Sequence, residues 1–196
     1  RIINGDMRIW QRGTSFSGGS EYTADRWKVQ IDGNVGTKTK VADTSPDGGA
    51  METLSINITG SGSYIQLGQA IEYENFRDLL GQEVTVSYFA QATLNGDTTP
   101  SLITRVRGNT SVKDGATLFT SPTISTINTT LSTYGTLTKV TMTFTLPSNI
   151  LGLSFDVSAT PVINGDVLQV GEFQLEAGSV ATPFEHRSYG TELALC

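Results

Sequence analysis

The sequence predicts an all-β protein: an antiparallel, two-sheet jelly-roll β-sandwich with one short helix. Three observations carry this. Apolar and polar residues alternate along segment after segment, which is the period of a strand with one buried face. The prolines fall between those segments or at their edges, where a residue without an amide donor is tolerated. The chain also has 21 glycines; clusters such as Ser17-Gly18-Gly19-Ser20 and Asp47-Gly48-Gly49 punctuate the runs as turns.

Taken in order, Trp27, Val29 and Ile31 share one face of an early run, which places Trp27 in the core. Leu54, Ile56 and Ile58 repeat the pattern, as do Ile65, Leu67 and Ile71. From Glu83 to Ala92, Val84, Val86, Tyr88 and Ala90 face one way; Thr85, Ser87, Phe89 and Gln91 face the other. From Leu137 to Leu146, Val140, Met142, Phe144 and Leu146 are apolar, whereas Lys139, Thr141, Thr143 and Thr145 are polar. Leu151, Leu153, Phe155 and Val157 form another such row, and a last strand from Val170 to Glu176 ends at Gly178. Asn164-Gly165 predicts a tight hairpin. Trp10 follows Ile9 in a predicted N-terminal strand. Helical spacing appears once, at Phe76, Leu79 and Leu80 within Glu74 to Leu80, with Gly81 as a stop. The Thr/Ser-rich stretch from Asn109 to Tyr134 reads as loop with short edge strands. Roughly eight or more short strands suit one jelly roll, over residues 1–185. Residues 186–196 read as an extension toward a downstream segment, because the chain starts at Arg1 and stops at Cys196 as if cut from a longer protein.

Charge and composition exclude several functions. Charged residues make up 16% and the net charge is −6. No basic stripe is present, so nucleic acid is not an expected partner. No apolar run reaches the ~20 residues of a membrane span, so no membrane insertion is expected. One cysteine and one histidine cannot build a four-ligand structural zinc site. The single imidazole, His186, lies in a terminal segment, and no Gly-x-Ser-x-Gly elbow occurs. A glycosidase needs only a pair of acids, but no motif selects one. Glu72 and Glu74, which flank Tyr73, have no fixed geometry. The chain is therefore not expected to be an enzyme.

Sugar recognition needs aromatic rings against the apolar face of a pyranose and planar polar groups on its hydroxyls. The outward side of Glu83 to Ala92 offers Phe89 and Gln91. In the strand from Pro100 to Arg107, Arg105 and Arg107 alternate with Leu102, Thr104 and Val106 and face away from the core. If the two strands are neighbours, these four residues share one surface, and Tyr64 and Gln66 can join them. An ordinary polar outer face with one partly covered Phe accounts for the same residues. Tyr134, just before Gly135, lies in a turn-like context that allows it to be exposed.

The N-terminal motifs Asn4-Gly5-Asp6-Met7-Arg8-Ile9-Trp10-Gln11-Arg12-Gly13 and Tyr22-Thr23-Ala24-Asp25-Arg26-Trp27, with the C-terminal Val170 to Glu185, resemble tail-fibre and appendage proteins of bacteriophages, cyanophages especially. From about Ser63 to Glu185 the chain is similar to jelly-roll carbohydrate-binding modules of the galactose-binding-like type. Gln69, the run Val84 to Ala92, Leu137 to Pro147 and Phe173-Gln174-Leu175-Glu176-Ala177-Gly178 carry this second likeness. The resemblance implies a non-catalytic module on a virion appendage, outside the cell, that contacts a host-surface glycan. It also implies a homo-oligomeric, usually trimeric, fibre; a purely structural or trimerising module is the alternative. Such modules often hold a structural calcium ion. Asp32, Asp43, Asp47 and Glu172 are the acids nearest to such a set, and solvated loop acids are the simpler reading of them.

Overall fold

A computed structural model describes residues 1–34, 36–97 and 99–196. Among these residues twelve strands follow one another: β1 Ser15–Ser17, β2 Ser20–Tyr22, β3 Lys28–Ile31, β4 Gly36–Thr44, β5 Ala50–Ile58, β6 Ile65–Ile71, β7 Glu83–Thr93, β8 Ser101–Asn109, β9 Thr123–Thr130, β10 Thr138–Thr145, β11 Gly152–Ala159 and β12 Val167–Ala177. A helix, α1, spans Tyr189–Leu195. The first sheet has the order β1-β4-β5-β12-β7-β10 and the second β2-β3-β6-β11-β8-β9. Every ladder is antiparallel. This is the jelly-roll sandwich the alternation predicts.

The inward rows are the predicted ones. Leu54, Ile56, Val84, Val86, Tyr88 and Ala90 come from the first sheet; Val29, Leu67, Leu102, Val106, Phe155 and Val157 come from the second. All are buried. Trp27, Tyr88, Phe155 and Phe173 form the aromatic centre, with the Tyr88 and Phe173 rings stacked 4.7 Å apart and Trp27 4.4 Å from Phe173. One polar tie crosses this interior. The Tyr88 hydroxyl, from the first sheet, lies 2.7 Å from Thr104 Oγ1 of the second. Burial pushes the Tyr88 pKa well above its ordinary value, with the Thr104 hydroxyl opposing the shift.

Local elements depart from expectation in four places. The segment around Phe76 is not an α-helix but two 3₁₀ turns, Tyr73–Asn75 and Arg77–Leu79, separated by Phe76 at φ −135°. Turning inward at that break, Phe76 is fully buried and Leu79 nearly so, so tertiary packing overrides local helix spacing. Among the described residues the α-helix is α1 instead, capped by Ser188, whose hydroxyl accepts from the Thr191 amide. Asn164-Gly165 does form a turn, with Gly165 at φ +92°. It is not a hairpin, because β11 and β12 belong to different sheets.

No strand forms in residues 1–14. That segment is pinned as a plug by Asn4, whose fully buried side chain bonds the Ile9 amide and the Ile9 and Asp25 carbonyls at 2.9–3.0 Å. Trp27 Nε1 donates to the Asn4 carbonyl at 2.9 Å. The buried Glu192 of α1 accepts from the Asn4 amide and from Arg187. Residues 186–196 thus dock on the N-terminal plug.

Candidate functional site

The two outward faces of the sandwich differ in what lies over them. On the first sheet, Phe89 faces outward as its alternation predicts, yet it is 3% exposed. Lys139, its cross-strand partner on β10, carries its ammonium 5.3 Å from the ring centroid. That ammonium also bonds Asp47 at 2.7 Å and the Thr182 carbonyl at 3.2 Å, drawing two loops over the ring. Gln91 is consumed by the protein itself. Its Nε2 donates to Gln169 Oε1 at 3.0 Å, and its Oε1 accepts from the Gly135 amide at 2.8 Å. Gln169 in turn donates to Asp43 and Thr53. A closed chain of amides and carboxylate thus occupies this surface.

β12 bulges on the same sheet between Gly171 and Gln174, with Glu172 at φ +54°. The Glu172 carboxyl is buried and its Oε2 accepts from the Ser45 hydroxyl at 2.7 Å. Burial raises its pKa; the Ser45 hydroxyl and His186 work against the shift, whereas Asp47 and Asp6 add to it.

The second sheet is different. Its outward rows can be read from the ladder register. One row runs Tyr22, Lys28, Gly68, Asp156, Arg105, Thr126. The next runs Ser20, Gln30, Gln66, Ser158, Ile103, Asn128. Tyr64, just before β6, joins the second row through its hydroxyl, which accepts from Gln30 Nε2 at 2.7 Å. Lys28, Gln30, Tyr64, Gln66, Ile103 and Arg105 are all part-exposed.

Asp156 sits beneath this face, fully buried, and fixes both arginines. Arg107 Nε donates to Asp156 Oδ1 at 2.5 Å, and Arg105 Nη1 donates to Asp156 Oδ2 at 3.2 Å and to Ser158 Oγ at 2.7 Å. Arg107 also donates to the Ser121 carbonyl at 3.0 Å, so it ties down the loop between β8 and β9. From that loop Phe119, at φ +70°, lays its ring over Gly68. A β-carbon on Gly68 would come within 2.4 Å of the Phe155 carbonyl oxygen and 3.2 Å of Phe119 Cε1. Only glycine therefore admits both the neighbouring strand and the ring.

At the β2 end of the face, Gln11, Arg12, Tyr22, Asp25, Arg26, Ala70 and Glu72 line a cavity of about 580 Å³. Tyr22 is 47% exposed, with the Arg12 guanidinium 5.5 Å from its ring centroid. The cations here are matched: Arg12 pairs with Asp25, and Arg26 with Glu72.

The six residues expected to share one surface therefore do not. Tyr64, Gln66, Arg105 and Arg107 lie on the second sheet, and Phe89 and Gln91 on the opposite outer face of the molecule. The reason is topological: β7 and β8 are consecutive in the chain but belong to different sheets. Sequence reasoning missed Lys28, Gln30 and Phe119. Lys28 and Gln30 alternate with Val29 and Ile31 and were readable as an outer face; Phe119 sits in a loop and carries no periodic signal. Tyr134, in its turn, is 41% exposed. Trp10 is partly buried, stacked on Phe16 with its indole N–H on the Met7 carbonyl.

The acids considered for calcium are each engaged within the protein. Asp32 accepts from the Ser63 amide, Asp43 from Gln169, Asp47 from Lys139 and Glu172 from Ser45. Among the described residues no three His, Cys, Asp or Glu side chains converge to hold a metal, whereas calcium takes six to eight oxygens.

Solved structures share this architecture. A family 4 carbohydrate-binding module matches with a TM-score of 0.53 at 14% identity, covering 91% of this chain and all of its own. The fold is that of jelly-roll carbohydrate-binding modules. A family 61 module solved with β-1,4-galactotriose matches with a TM-score of 0.52 at 12% identity, over 79% of this chain and 90% of that one. Part of tailspike protein 4 of bacteriophage CBA120 matches with a TM-score of 0.54 at 13% identity, over 78% of this chain; the match spans only 19% of the tailspike chain. At these identities the likeness is one of fold, on which many functions are built. No protein-family profile and no curated protein sequence matches the chain.

Proposed function

We propose that this protein is a non-catalytic glycan-binding module of a phage tail fibre or related virion appendage, acting in host-surface attachment through the outer face of the second sheet. The observation that carries this reading is the part-exposed set of Gln30, Tyr64 and Gln66, with Arg105 in the adjacent row of the same face. It combines a phenol, two amides and a guanidinium on a rigid sheet, in a fold that sugar-binding modules use. Planar polar groups on a sheet meet sugar hydroxyls without first being ordered. The shared fold of a phage tailspike domain supports the virion setting. In a trimeric fibre three such faces act together, and weak single-site binding becomes firm attachment.

Binding rather than hydrolysis is the better match to this face. Its strands present one acid, Asp156, which two guanidiniums hold. Glycoside hydrolysis asks for two carboxyls flanking the scissile bond.

Affinity electrophoresis through gels containing cell-surface polysaccharide tests the reading. The wild type is expected to be retarded and Tyr64→Ala with Gln66→Ala to migrate freely, with no reducing ends released. Unretarded wild type on every polysaccharide of the host envelope, together with a stable trimer in solution, would instead support a structural module.

A further inference from the structure

We propose that the glycan recognised by the second sheet is anionic, bearing a carboxylate or sulfate group that sits between Lys28 and Arg105 beside the Phe119 ring. This inference rests on the glycan-binding reading above and names its substrate class.

Charge accounting carries it. The chain has 13 Lys and Arg against 19 Asp and Glu. Among the described residues, every Lys and Arg except Lys28 has a carboxylate within 4.0 Å. Lys28 is on the outer face of β3. Two positions along the same row, Asp156 is shared by Arg105 and Arg107. The strands of this face thus present three cations against one buried carboxylate, within a protein whose net charge is −6. Such a local excess raises the concentration of anions at the face and repels none of the neutral alternatives, so it selects by charge.

Geometry places the charge. Lys28, Gly68, Asp156 and Arg105 are successive cross-strand neighbours, so the two outer cations stand three strand spacings, about 14 Å, apart. Phe119 lies over Gly68 between them. A pyranose stacked on that ring has its substituents directed toward a cation on either side. Arg105 uses Nη1 on Asp156 and Ser158, and the rest of its fork is available for a planar carboxylate or sulfate. The cavity around Tyr22 lacks this property, because its guanidiniums are matched by Asp25 and Glu72.

A printed array of neutral, uronate-containing and sulfated glycans, probed at about 20 mM and about 500 mM NaCl, tests the inference. Calorimetry on the strongest ligand follows. The expected hits are anionic and fade at high salt. Lys28→Gln is expected to weaken them roughly fivefold while leaving the melting temperature unchanged, since Lys28 has no carboxylate partner to lose among the described residues. Phe119→Ala is expected to weaken all ligands. Neutral hits that persist at high salt and in Lys28→Gln would overturn the anionic assignment and keep the glycan-binding reading. An array with no hits in either salt would overturn both. Carboxylate and sulfate ligands are separated by which of the two classes lights up.

Discussion

The outer face of the first sheet and that of the second start from the same kind of sequence, alternating strands with polar residues turned away from the core. They end differently. Over the first sheet, the loop around Asp47, the segment through Thr182 and the turn at Gly135 close on Phe89 and Gln91, and every amide finds a partner within the protein. Over the second, the loop carrying Phe119 stops at Gly68 and leaves Lys28, Gln30, Tyr64 and Gln66 part-exposed. Outward is not the same as accessible. An outward aromatic under loops contributes to stability; an outward polar row with nothing over it is left for a partner.

The strongest way to break this contrast is Phe89→Ala. It removes a buried ring and is expected to cost about 3 kcal/mol, read as a lower denaturant midpoint, while glycan retention at a temperature where the variant is folded stays at the wild-type level. A loss of retention without a loss of stability would exchange the roles of the two faces. Next is Gln169→Ala, which strips a buried amide from Asp43, Thr53 and Gln91. A cost of about 2 kcal/mol is expected, again with retention intact. Tyr64→Ala sharpens the contrast from the other side: its stability change should stay within about 0.5 kcal/mol, with retention lost.

The smallest expected effect concerns pH. Glu172 holds its proton more tightly folded than unfolded, because burial raises its pKa. Its stability contribution is therefore complete below the ordinary carboxylate range and declines as pH climbs through the raised folded value. Glu172→Gln keeps an acceptor for Ser45 and removes that decline. The variant should match the wild type near pH ~4 and melt higher, by about 2 °C, at neutral pH. Equal melting curves at both pH values would show that the carboxyl is better solvated than its position on the bulge implies.

Much of the sandwich was legible in the chain because a period of two reports burial directly. Val84, Val86 and Tyr88 had to face inward, and they do. The same period says nothing about which of two sheets a strand joins. Phe89 and Arg105 are both outward, yet they point to opposite sides of the molecule, since the connection from β7 to β8 crosses between layers. Loop residues are harder still. Phe119 reaches the face through a positive φ and a gap left by Gly68, and both depend on contacts distant in sequence. The break at Phe76 was hidden for a related reason: its burial is rewarded by the core, which local helix spacing does not see.

The bond between Tyr88 and Thr104 has a further effect. Two greasy layers attract one another with little preference for alignment, because dispersion is nearly blind to a small slide. One directional pair of hydroxyls at their centre removes that freedom: a shift by a single pleat strands both oxygens in a dry interior. Arg105 is the next residue after Thr104 and inherits its placement. Replacing the phenol of Tyr88 with a phenyl ring would thus act as a mechanical release, letting the recognition surface drift against the body that carries it.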